Sequence, residues 1–260
     1  MDRFAKIVCT LGPSSNTKEM IQSLISAGMD VARLNFSHGT HESHAKLIGL
    51  IREISDEMGT AVTILQDLQG PKLRIGKLPD GKIELKAGDQ VTLSSSESLM
   101  VDEDDIFVPF EIPDLHKALK PSNHILLDDG QIEMEVQSID GERIEAVVTL
   151  GGTLKSNKGV NLPGANLTIP IFTEKDHEDL KFGLENDVDM VAISFVKKAD
   201  DIITVRNAIK ELAPNERAKQ TPIIAKLERP EALEDLEEIM KVANGVMVAR
   251  GDLGVEMSPA

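Results

Sequence analysis

At 260 residues the chain is long enough to bury a substantial core, as one large domain or as a domain carrying an insertion. A formal net charge of −16 at pH 7, 3% aromatic residues and neither Trp nor Tyr argue against a nucleic-acid groove, which needs basic stripes and stacking platforms, but leave room for small anions where cations gather locally. Cys9 is the single cysteine, which rules out an intramolecular disulfide framework, and no apolar stretch is long enough for a bilayer or shaped like a leader, so a cytoplasmic protein without membrane or nucleic-acid partners is expected.

Residues 6–11 read as an apolar strand. A helix through Met20, Leu24 and Ile25 follows, which a capping box of Asn16 and Glu19 would open and Gly28 would close. The second strand, at 31–37, turns from apolar to polar along its length. Alternate strand residues share a face, so Arg33, Asn35 and Ser37 should point toward an anion while Ala32, Leu34 and Phe36 point into packing. A second helix runs through Leu47, Leu50, Ile51 and Ile54 to Gly59, and a third strand occupies 62–67. His38, His41 and His44 follow a strand end and open that second helix; no Cys or carboxylate completes a metal set, so they read as solvated first-turn histidines.

Between about 72 and 171 the rhythm changes to β-type alternation, in Ile83/Leu85, Val91/Leu93, Ile132/Met134/Val136 and Ile144/Ala146/Val148. The turn dipeptides Asp80-Gly81, Asp129-Gly130 and Asp140-Gly141 punctuate it, and together they indicate an inserted β-rich domain. The glycine-rich stretch 151–159, with Lys155 and Lys158, could close over phosphates or form a solvated hairpin. After Thr173 the first rhythm resumes: a helix to Leu184, a strand at 190–195, a helix through Ile202, Val205 and Ile209, a strand at 223–228, a single helix from Pro230 to Asn244-Gly245, and a strand at 246–249.

Six parallel-type strands result, and polar residues stand at their ends: Thr10, residues 33–37, Asp67, Ser194, Lys226 with Glu228, and Asp252. That pattern fits a (β/α) barrel, whose reactive groups lie at the carboxyl ends of the strands. A doubly wound sheet is the alternative, weakened by the lack of a Walker A sequence or a Gly-x-Gly-x-x-Gly turn. Lys226 and Glu228 share a face at about 7 Å, a spacing that suggests a shared ligand rather than a pair. Glu228 and Asp252 are candidates for a hard divalent cation, which favours one or two carboxylates and completes its shell with water and phosphate oxygens. The structural alternatives are ordinary strand-end acids, a Lys226 paired with a helix carboxylate and an Arg33 salt bridge at a barrel rim.

The stretches KIVCTLGPSS (6–15), GMDVARLNFSHGTHE (28–42), LQDLQGPKLRIG (65–76), LLDDG (126–130), KGVNLPG (158–164), KDHEDLKFGLENDVDMVAISFV (175–196), AKLERPEAL (225–233) and VARGDLGVE (248–256) together closely resemble pyruvate kinases, in the family's order. The resemblance implies an α/β fold: a (β/α)8 TIM-type barrel, about six strands of it here, formed by 1–71 and 172–260, with a small β-barrel lid domain inserted at 72–171. It implies phosphoryl transfer from phosphoenolpyruvate to ADP, giving pyruvate and ATP, the last step of glycolysis. In the family pattern Arg33 holds the substrate phosphate and Lys226 stabilises the transition state, while Glu228 and Asp252 carry Mg2+ or Mn2+. Ser194 and the backbone near Gly251 join the substrate contacts. Asn35, Ser37, His38, Arg74, Lys158, Thr10 and Pro13 match nucleotide or phosphate contacts.

The sequence departs from the family in two respects. Potassium-dependent members carry Glu at the position of Lys72 and Thr at that of Leu68, beside a monovalent-cation site formed by Asn35, Ser37 and Asp67. A fixed ammonium at Lys72 would substitute for K+, so activity without potassium is expected. The family also continues past this point with two more barrel strands, a Thr-bearing active-site strand and an effector domain. A six-stranded arc alone should be poorly stable or associate through its open edge, and the full-length form should be a homo-oligomer. Two rival functions remain open: a non-catalytic fragment that retains nucleotide and magnesium binding, and a barrel aldolase or phosphoenolpyruvate-utilising lyase whose Lys226 forms a borohydride-trappable Schiff base.

Overall fold

The computed structural model describes residues 4–96, 105–112, 114–165 and 169–257. The chain divides into two compact units, Met1–Pro71 with Pro170–Ala249 and Lys72–Ile169 with Arg250–Ala260. Residues 250–257, which the sequence reading assigned to the barrel, thus group with the second unit.

The first unit opens with β1 (Ile7–Leu11), α1 (Lys18–Ala27), β2 (Met29–Asn35), α2 (His41–Met58) and β3 (Thr63–Asp67). Thr17, not Asn16, caps α1, its hydroxyl accepting from the Met20 amide, and Gly28 ends the helix at φ +108°. Thr40 and Ser43 form a reciprocal capping box on α2.

The second unit carries β4 (Lys82–Leu85), β5 (Gln90–Ser94), β6 (Ile106–Pro109), α3 (Leu115–Ala118), β7 (His124–Leu127), β8 (Ile132–Asp140), β9 (Arg143–Leu150), β10 (Gly152–Lys155) and β11 (Val160–Asn161). Six of these strands form one sheet in the order β11-β7-β8-β9-β5-β6, and β10 pairs with β4 in a separate ribbon. Single bridges from Arg74 to Gly159, beside β11, and from Ile75 to Phe110, beside β6, tie the two sheet edges to one segment and close the structure. Inward residues alternate as expected, Val91 and Leu93 against Met134, Val136, Ile144, Ala146 and Val148.

The first unit resumes with α4 (Glu174–Glu185), β12 (Met190–Ile193), α5 (Ala199–Leu212), β13 (Ile223–Leu227), α6 (Pro230–Glu234), α7 (Leu236–Val242) and β14 (Gly245–Val248); α8 (Arg250–Glu256) belongs to the second. The single helix expected after Pro230 is therefore two. Asp235 ends α6 and starts α7 with non-helical backbone, and its carboxylate accepts from the Ala199 amide at 2.8 Å.

All six strands of the first unit are parallel, in the order β1-β2-β3-β12-β13-β14. Each new strand is added on the same side, with no reversal of order. A doubly wound sheet requires such a reversal, so the fold is the (β/α) barrel type, represented by six of its strands. Helical apolar stripes, Ile48/Ile51/Ile54 on α2 and Ile202/Val205/Ile209 on α5 among them, pack onto Ala32, Leu34, Ile64, Val191 and Ala225. No helix among the described residues is long and apolar enough to cross a membrane.

One contact in this packing reverses an ordinary expectation. Gly183 lies within α4, where Ala is normally preferred by about 1 kcal/mol. A Cβ there would collide with the amide of Gln66, which is fully buried and held by its bond to the Asp179 carbonyl at 2.6 Å. Gly183→Ala is accordingly expected to destabilise the fold by about 1–3 kcal/mol, read as a lower urea midpoint. A higher midpoint would show that Gln66 yields.

Candidate active site

Four charged side chains meet at the carboxyl ends of the first unit's strands. Arg33 stands near the end of β2, Asp67 is the last residue of β3, and Lys226 and Glu228 stand at and just past the end of β13. In-register parallel pairing, Asn35 opposite Asp67 and Ala192 opposite Asp67 from the other side, brings these strand ends level. Asp67 Oδ2 accepts from Arg33 Nε at 2.7 Å and lies 2.5 Å from its Nη2, while Arg33 Nη1 donates to Thr10 Oγ1 at 2.7 Å.

Lys226 Nζ faces Glu228 Oε1 at 2.8 Å and Asp67 Oδ1 at 3.3 Å, and donates to Ser194 Oγ at 2.8 Å. The 3.3 Å approach lacks hydrogen-bond geometry, so Asp67 Oδ1 stays a buried acceptor without a donor among the described residues. The two carboxylates are each 1% exposed and Lys226 8%, while the Arg33 side chain is 24% exposed, so the formally neutral quartet is withdrawn from water except on its Arg33 side.

Lys226 and Glu228 are therefore paired, contrary to the expectation from their backbone spacing. Strand spacing fixes the Cα separation, but a four-carbon stem and a carboxylate can lean toward each other across it. Lys226 also takes its partners from strand ends rather than from a helix.

The backbone around the quartet is correspondingly constrained. Ser194 Oγ donates to the Leu68 carbonyl at 2.8 Å, and the Phe195 amide donates to Glu228 Oε2 at 2.8 Å. Phe195 adopts a left-handed φ of +57°, a conformation a non-glycine residue holds only where its surroundings dictate it. Gly70, at φ +67°, packs so closely that a Cβ would stand 3.1 Å from the Phe195 ring and 3.2 Å from Ser194. Asp176, 1% exposed, accepts from the Gly70 amide at 3.0 Å and from the Thr173 hydroxyl at 2.6 Å, joining the chain after β3 to the start of α4.

The loop after β2 holds the next group. Asn35 Oδ1 accepts from the Ser37 amide at 3.0 Å and the Asn35 carbonyl from the His38 amide at 3.3 Å, while His38 itself is exposed. Pro13 is exposed in the turn after β1, where the Ser15 amide donates to the Gly12 carbonyl at 2.9 Å. His41 and His44 differ from expectation. His44 is buried and stacks on Phe36, and His41 stacks on Phe182 and meets Asp179 at 2.7 Å. Apolar residues at 36 and 182 were visible in the sequence, but nothing local signalled that they would meet these rings.

Among the expected cation ligands, Asp67 is already engaged by Arg33 and Lys226, and Leu68 is a buried residue whose amide donates to the Ala192 carbonyl. Lys72 is exposed and belongs to the second unit.

Within that second unit, Arg74 Nη1 donates to the Asn157 carbonyl at 2.9 Å and Lys158 Nζ to Asp128 at 2.7 Å. Most of the glycine-rich stretch proves ordered, since β10 pairs with β4 and Asn157 makes the turn at φ +60°. Gly251 and Asp252 open α8 rather than extending a strand end.

Comparison with known proteins adds the family. A family model described as "Pyruvate kinase, barrel domain" matches residues 2–260. The chain is 43% identical over 259 residues to a protein named pyruvate kinase from Staphylococcus aureus (strain MRSA252), covering 99% of this chain and 43% of that protein. It is 42% identical over 252 residues to another of that name from Clostridium perfringens (strain 13 / Type A), covering 97% of this chain and 52% of that protein. The chain thus spans about half the length of the curated relatives it matches.

Proposed function

Because the chain belongs to the pyruvate kinase family, we propose that it carries the catalytic charges for phosphoryl transfer from phosphoenolpyruvate to ADP, yielding pyruvate and ATP. The observation that carries this reading is the neutral Arg33–Asp67–Lys226–Glu228 quartet at the strand ends. Phosphoryl transfer asks the protein chiefly for alignment and for cations around developing charge. Arg33 is anchored through Asp67 and Thr10, so its guanidinium presents a fixed fork to a phosphoryl group. Lys226, held by Ser194 and two carboxylates, supplies a positioned ammonium to the oxygen left negative as the bond to phosphorus breaks.

A divalent ion is typical of the family, and in this reading it is magnesium. Glu228, with Asp252, would hold it, since such an ion needs only one or two carboxylates beside water and phosphate oxygens. When bound it neutralises charge on the phosphate oxygens. Among the described residues no group of three or more His, Cys, Asp and Glu is gathered for a metal. Asn35, Ser37, His38, Thr10 and Pro13, with Arg74 and Lys158, supply the nucleotide and phosphate contacts in this reading, and Ser194 and Gly251 the remaining substrate contacts. The lid role of the inserted unit at 72–171, a cytoplasmic setting and a homo-oligomeric longer protein belong to the same proposal.

The second reading is a segment that binds nucleotide and magnesium without turning over. The lyase reading is discriminated by borohydride trapping, which would leave a Lys226 adduct that the kinase does not form.

The test is pyruvate formation from phosphoenolpyruvate and ADP with magnesium, with and without potassium. Turnover that potassium changes less than about twofold is expected, with Lys72 as the resident cation. Many-fold stimulation by potassium would overturn the role given to Lys72, and binding without turnover would favour the second reading.

A further inference from the structure

The loop that follows β2 is gripped from beneath by side chains to which the phosphoryl-transfer reading gives no role. The His44 ring stacks on Phe36 with centroids 4.0 Å apart and planes within 9°, and its Nε2 lies 2.9 Å from the His38 carbonyl. A carbonyl only accepts, so Nε2 carries the proton and donates. Burial pushes the His44 pKa down, against the pull of the His38 carbonyl and of Asp179, and His41 and Lys175 push in the same direction as burial. The ring is thereby favoured as a neutral donor. Gly39, at φ +86°, leaves the ring its space, since a Cβ there would stand 3.0 Å from Ser43 Oγ and 3.1 Å from His44 Nε2. Lys175 of α4 adds a second hold, donating to the Phe36 carbonyl at 2.9 Å.

We propose that His44 is a positioning residue for the loop 35–39: its Nε2–H fixes the His38 carbonyl, and through it the Asn35, Ser37 and His38 groups that meet the nucleotide phosphates. The phosphate role of that loop rests on the function proposed above, whereas the brace itself does not. A ring that only filled space would need no donor. A donor aimed at the one carbonyl between the phosphate-facing residues and Gly39 sets the curvature of the loop.

The experiment uses the whole chain and two readouts, amide hydrogen exchange at Ser37 and His38, whose amides bond to Asn35, and affinity for magnesium–ADP. His44→Phe keeps the stack and removes the donor; His44→Gln keeps a donor at similar reach. With the melting temperature of each variant checked, His44→Phe is expected to speed exchange at the two amides and to weaken magnesium–ADP binding, each by about tenfold, and His44→Gln to recover most of both. Unchanged exchange in His44→Phe would overturn the proposal, and so would a Gln variant as impaired as the Phe one, since that would make the ring a packing element only. If the unaltered chain binds no magnesium–ADP, the nucleotide reading fails while exchange still decides the brace. Should His44→Phe not melt cooperatively, Phe36→Leu decides instead, because it drops the stack and leaves the hydrogen bond: retained protection supports the proposal and lost protection overturns it.

Discussion

Lys226→Met should reduce pyruvate formation by on the order of 10²–10³ or more while leaving the chain folded. The ammonium stands at the centre of the quartet and is the cation held on three sides, by Ser194, Asp67 and Glu228. Methionine matches the length of the lysine stem and packs similarly, so what is lost is charge and donation. The neighbours keep other partners: Asp67 Oδ2 retains Arg33, and Glu228 Oε2 retains the Phe195 amide. Glu228, 1% exposed, nevertheless loses its ammonium partner, so the stability cost should reach about 3–5 kcal/mol, the range for removing one member of a buried ion pair. Turnover within tenfold of the unaltered chain, measured under saturating substrates, would remove Lys226 from the chemistry.

Asp67→Asn should show its main loss in stability. Asp67 touches both cations, and at 1% exposure its replacement by a neutral amide leaves the quartet with a net positive charge that water reaches only on the Arg33 side, where the guanidinium is 24% exposed. The amide also brings N–H donors toward guanidinium and ammonium groups that have nothing to accept with. Breaking a buried pair in this way costs about 3–5 kcal/mol, which for a unit of this size lowers the melting temperature by roughly 10 °C. A shift of a degree or two would mean that Arg33 and Lys226 find solvent or other partners without it. Measured together, the two variants separate the residue that acts on substrate from the one that holds the cations in place.

Strand-end polar residues were legible because period-two alternation and the apolar-to-polar switch at 31–37 place Arg33 and Asn35 on one face whatever the rest of the chain does. Lys226 and Glu228 were legible as a pair of strand-end groups but not as partners, since side-chain reach is set by rotamers and by the Ser194 hydroxyl that steers the ammonium, neither of which sequence spacing encodes. The true caps escaped by one residue at α1 because Asn16 and Thr17 are both good caps and only the backbone path decides between them. Residues 250–256 looked like a strand end from the preceding apolar run, yet they form α8 within the second unit. His44 was read as solvated because its hydrophobic surroundings come from Phe36, eight positions earlier, once the loop has folded back.

Asp176 also bears on how the chain reaches its native state. β3 and β12 are neighbours in the sheet but are separated by roughly 120 residues of intervening chain, so pairing them early would close a long and costly loop. If the inserted unit folds first, the connection shortens to the roughly 24 residues at 68–71 and 170–189, and the closure cost falls by about 1.4 kcal/mol at some 0.6 kcal/mol per halving of loop length. The Asp176 carboxylate, bonded to the Gly70 amide just after β3 and to Thr173 at the start of α4, then captures both ends at once. It would act as the nucleation point at which the interrupted sheet resumes its growth.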